Sequence, residues 1–117
     1  MTINTPSKPN ILFILIDGLR ADKIYGLNKS SKTPNIDSLI KNSVYFTQEI
    51  SSVDGTFLSL NCLLNSVYPF KTGIRAKKII LTENNLFKQL KDFQYHIYGL
   101  IPDLISFQPL TKFFEND

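Results

Sequence analysis

Two oxygen-bearing side chains stand where a sequence can place chemistry. Asp17 follows Ile11 to Ile16, six residues that are all Ile, Leu or Phe. A run apolar at every position reads as a strand buried on both faces. Open α/β sheets bind ligands at the carboxyl ends of such strands. A carboxylate delivered there is a metal-ligand candidate. Asp17 can equally cap a turn in which Gly18 takes a positive φ, and the stretch alone leaves both readings open. Thr56 is the second residue. It follows Asp54-Gly55 at the start of an apolar segment that predicts a helix over Thr56 to Asn65. A hydroxyl there sits beside unpaired backbone N–H groups at the positive end of the helix dipole, which suits a phosphate or sulfate oxyanion. A threonine hydroxyl attacks poorly near neutral pH unless a base or a metal lowers its pKa. Without one, Thr56 is an N-cap.

Other polar residues are weaker candidates. Arg20 could face an anionic substrate or be a solvated loop arginine. His96, between Tyr95 and Ile97, reads as structural or surface. Asp54 reads as a turn residue, and Asp103 lies past the end of an apolar stretch. Cys62 reads as a buried helix residue.

The elements that must position these residues are predicted as follows. Residues 1–9, with two prolines, form a flexible lead-in, and residues 10–117 form one partial domain. Strands are expected at 10–16, 44–49 and 95–101, with a short edge strand at 79–81. A surface loop with a short helical turn covers 19–32. Helices are expected after Thr33-Pro34, with Ile36, Leu39 and Ile40 on one face, over 56–65, and over 82–93 with Thr82 as N-cap. Phe107, Leu110, Phe113 and Phe114 are expected to dock, on a surface outside this chain. The order β-α-β-α-(β)-α-β belongs to an α/β layered fold.

The 117 residues suit one domain. A hydrophobic content of 43% and a charged content of 20% are ordinary for a globular chain. The net charge of +3 comes from scattered lysines, and no basic face with interleaved aromatics supports nucleic-acid binding. The single cysteine excludes an internal disulfide. No signal peptide or membrane span is legible, so the chain as written reads as cytoplasmic.

Three stretches in consistent order carry a family resemblance: PNILFILIDGLRAD, TPNIDSLIKNSVYFTQEIS and the segment ending LLNSVYPFKTG. Together they resemble the N-terminal part of the sulfatase family, metal-dependent ester hydrolases of the alkaline phosphatase superfamily. NNLFKQLKDFQYHIYG echoes a later helix-strand of that family. The resemblance implies a three-layer alkaline-phosphatase-like sandwich of which only the N-terminal β-α-β-α-α-β portion is present.

The resemblance places the metal-binding aspartate on Asp17, with Gly18 where a second aspartate is usual. Counting back from Tyr68-Pro69, it places the nucleophile on Thr56, which would also be a metal ligand. The Cys-x-Pro-x-Arg signature is absent, since Leu58 and Leu60 fall on its proline and arginine positions. No formylglycine is therefore expected. Threonine in this position resembles relatives that transfer phosphoryl or phosphonyl groups. Asn65-Ser66 stands where the family usually has Thr-Gly. The lysine and histidine found beyond the third strand have no match in Gly99-Leu100-Ile101-Pro102.

The implied function is metal-dependent hydrolysis of small anionic phosphate, phosphonate or sulfate esters, using Ca, Mn or Zn. Downstream metal ligands are missing, so the chain alone is expected to be inactive. The alternative is a non-catalytic truncated α/β module that serves in binding or oligomerisation. The expected protein partner is a missing C-terminal portion or a further copy of the chain.

Overall fold

The computed structural model describes residues 8–75 and 78–116. Most of the predicted lead-in, residues 1–7, lies outside the described residues. The chain divides into two compact units, Met1–Phe46 and Thr47–Asp117.

In the first unit, α1 spans Ala21–Ile24 and α2 spans Pro34–Asn42. Proline opens α2 because its fixed φ suits the first turn and its missing N–H has no partner to lose there. Thr33 precedes it as the N-cap residue without a side-chain capping bond. Its hydroxyl instead donates to Asp37 Oδ1 at 3.0 Å, and Lys29 Nζ reaches the same carboxylate. These contacts hold the Asp37 carboxyl below its ordinary range, the bond from Lys29 being the main cause. Tyr25 and Tyr45 pack with ring centroids 4.5 Å apart. Neither helix of this unit contains a buried residue.

The second unit holds the core. Its helices are α3, Thr56–Asn65; α4, Pro69–Thr72; α5, Leu86–Asp92; and α6, Gln108–Thr111. Leu60 and Leu64, one turn apart on α3, meet Ile79 and Leu110 in a buried cluster. Phe57, Leu81, Leu86, Phe87, Ile101, Phe107 and Phe114 pack around it. The tail aromatics thus dock within their own unit, contrary to the expectation of an outside surface. Phe57 meets Phe107 at 5.6 Å, and Phe87 meets Phe113 at 5.4 Å.

The predicted α/β sandwich is overturned: among the described residues there is no strand and no sheet. A strand exists only through backbone bonds to a neighbouring strand, and none of the four apolar segments finds such a neighbour. Residues 10–16 and 44–49 make no ladder. Residues 79–81 and 95–101 are bonded by other means.

The means at 78–82 is a pair of asparagines. Asn61 and Asn65 lie one turn apart on α3, both buried with 3% of their surface exposed. Asn61 donates from Nδ2 to the Lys78 carbonyl at 3.0 Å and accepts from the Ile80 N–H at 2.8 Å. Asn65 donates to the Ile80 carbonyl at 2.9 Å and accepts from the Thr82 N–H at 2.8 Å. A side-chain amide presents one donor and one acceptor as a peptide unit does. The two side chains therefore engage alternate residues as a neighbouring strand would. On the odd-numbered side, Ile79 N–H donates to the Ser106 carbonyl at 3.1 Å.

Thr82 consequently does not cap α5. Its hydroxyl lies 3.1 Å from Asn65 Oδ1, and Asn85 takes the cap by accepting from the Lys88 N–H at 3.0 Å. Helix α5 is accordingly shorter than the predicted 82–93.

A second clasp ties residues 114–116 to 97–99. Glu115 N–H donates to the Ile97 carbonyl at 2.8 Å. The Asn116 side chain bonds both the N–H and the carbonyl of Gly99, at 2.7 and 2.8 Å. A Cβ on Gly99 would collide with the Phe114 ring. His96 Nδ1 lies 2.6 Å from Glu115 Oε2. That bond is the main cause of a Glu115 carboxyl held below its ordinary value of 4.5.

Two outcomes follow from these clasps. Asn65→Ala removes the partners of the part-buried Ile80 carbonyl and Thr82 N–H and is expected to cost about 1–3 kcal/mol. Urea denaturation measures this, and a change within about 0.5 kcal/mol, typical of surface sites, would contradict the bonding described. The second outcome concerns acid. A depressed carboxylate contributes stability that is complete above its unfolded pKa and is lost as pH falls through its folded pKa. Acidification below 4.5 is therefore expected to loosen residues 114–116, and Glu115→Gln to abolish that step. The Gly99 amide NMR shift reports it; a shift unchanged through the acid range counts against the clasp.

Candidate functional site

Thr56 is the first residue of α3, half-buried, and the N-cap is Gly55 rather than Thr56 itself. Gly55 has φ 86°, a conformation glycine takes at least cost. The loop before it is fixed by two serines. Ser51 Oγ donates to the Val53 carbonyl at 2.7 Å, and Ser59 Oγ lies 3.3 Å from the same oxygen and 3.2 Å from Ser51 Oγ. The first intrahelical bond runs from Ser59 N–H to the Gly55 carbonyl at 3.0 Å. Helix α3 is in turn anchored by Asn61, Asn65 and the leucine core. The Thr56 hydroxyl thus stands at the N-terminus of the best-anchored helix of the second unit, where the first-turn N–H groups have no intrahelical acceptor.

Asp17 occupies the turn after Ile11–Ile16, and Gly18 has the positive φ, 70°, that this turn needs. Asp17 belongs to the first unit and Thr56 to the second, so neither unit contains both.

Arg20 precedes α1 and forms a two-pronged ion pair with Asp22, Nε to Oδ1 at 2.8 Å and the second guanidinium nitrogen to Oδ2 at 3.0 Å. The pair raises the Arg20 pKa and lowers that of Asp22. An anion approaching Arg20 therefore competes with an internal carboxylate. His96 is an exposed residue in the tail clasp. Cys62 is half-buried on α3, less covered than predicted. Asp54 is exposed in the loop before Gly55. Asp103 lines an open groove of about 620 Å³ between residues 99–104 and the α6–tail segment.

Among the described residues, no group of three or more His, Cys, Asp or Glu side chains could hold a metal ion. Asp17 and Thr56 supply one carboxylate and one hydroxyl, far short of the six to eight oxygens calcium takes or the three or four protein ligands of zinc. Among the described residues, the donor set does not complete a divalent-cation site.

Asn61 and Asn65 are the residues that reasoning from chemistry missed. Their signal was legible as two amides spaced four apart on a mostly apolar helix. Asn65 also explains the Asn-Ser departure: the asparagine holds residues 80 and 82, and Ser66 takes the left-handed helix end at φ 56°.

Comparison with known families matches residues 9–116 to the sulfatase family. The chain belongs to that family. Over 82 residues it is 34% identical to the ulvan-active sulfatase of Formosa agariphila, a match that covers 69% of this chain and 16% of the relative. The chain thus spans about a sixth of that relative's length. No solved structure matches it. Among the described residues, no helix is long and apolar enough to cross a membrane.

Proposed function

We propose that the chain is the N-terminal portion of a sulfatase-like hydrolase of phosphate, phosphonate or sulfate esters. The observation that carries this is the sulfatase match over residues 9–116 in a chain that covers only 16% of a family relative. Thr56 is the nucleophile of this reading. Its Oγ1 attacks phosphorus or sulfur, the new ester bond forms as the leaving-group oxygen departs, and the hydroxyl proton ends on the released alcohol. Water then cleaves the enzyme ester. The helix N–H groups at α3 stabilise the oxyanion charge that develops.

Asp17 and Thr56 are the proposed ligands to a divalent cation, calcium, manganese or zinc. The remaining donors must come from polypeptide beyond this chain. Arg20 is the proposed contact to the substrate anion, reached by exchange of its bond to Asp22. The 117 residues alone are inactive on this reading.

A second reading is a non-catalytic module for binding or oligomerisation. The incomplete donor set among the described residues favours it for the chain by itself.

The test uses 4-nitrophenyl sulfate, phosphate and phenylphosphonate with calcium, manganese or zinc. The 117-residue chain is expected to hydrolyse none of them. In a form extended to full family length, Thr56→Ala is expected to lower kcat at least about a thousandfold, as loss of a nucleophile does. Retention of full activity by Thr56→Ala would remove the nucleophile assignment, and turnover by the short chain would remove the claim that it is incomplete.

A further inference from the structure

We draw no further inference here: the strongest candidate, the open groove between residues 99–104 and the α6–tail segment, carries none because nothing in the structure shows what covers it.

Discussion

An amide buried in a protein must find partners for both its donor and its acceptor, and Asn61 and Asn65 find theirs on one five-residue stretch of backbone. The four bonds they make to residues 78–82, between 2.8 and 3.0 Å, fix that stretch against α3. Ile79 then enters the core beside Leu60 and Leu64. Because residue 82 is held by Asn65, α5 begins only at Leu86, with Asn85 as its cap. The position of Thr56 at the head of α3 depends on the same anchoring. Each buried amide is worth far more in the native state than the net value of a surface bond, since removing it leaves unsatisfied groups behind.

The first unit has no equivalent. Its ion pairs, Arg20 with Asp22 and Lys29 with Asp37, lie at the surface, where such pairs contribute little. Its most apolar segment is uncovered. A sequence that places Ile11 to Ile16 in a row is built for burial on both faces, and among the described residues of this unit nothing supplies it. Among the described residues, no group of three or more His, Cys, Asp or Glu side chains could hold a metal ion either.

How far the sequence could be read follows from the range of the forces involved. Helices α2 and α3 were legible because their signals are local: Thr33-Pro34 at one start, Gly55 at the other, and apolar residues at helical spacing. The short helical turn within 19–32, found as α1, was legible for the same reason. The strands were not, because a strand is a property of two segments. Residues 10–16 have every local mark of a strand and no neighbour to make them one. At 78–82 the neighbour is a pair of asparagine side chains, which periodicity rules do not anticipate. Of the candidate site, Thr56 opens a helix that was legible, whereas Asp17 follows a segment that forms no strand. The pairing of Arg20 with Asp22 could have been read from their spacing and was not.

The claim on which the second unit rests is that asparagine side chains replace a strand neighbour along 78–82. Amide hydrogen exchange at Ile80 and Thr82 measures it most directly, because neither N–H lies in a helix and each has an asparagine oxygen as its acceptor. The structure predicts that both amides exchange as slowly as the interior of α3, through opening of the whole unit. Exchange at the rate of the solvent-facing loop before Gly55 would contradict it.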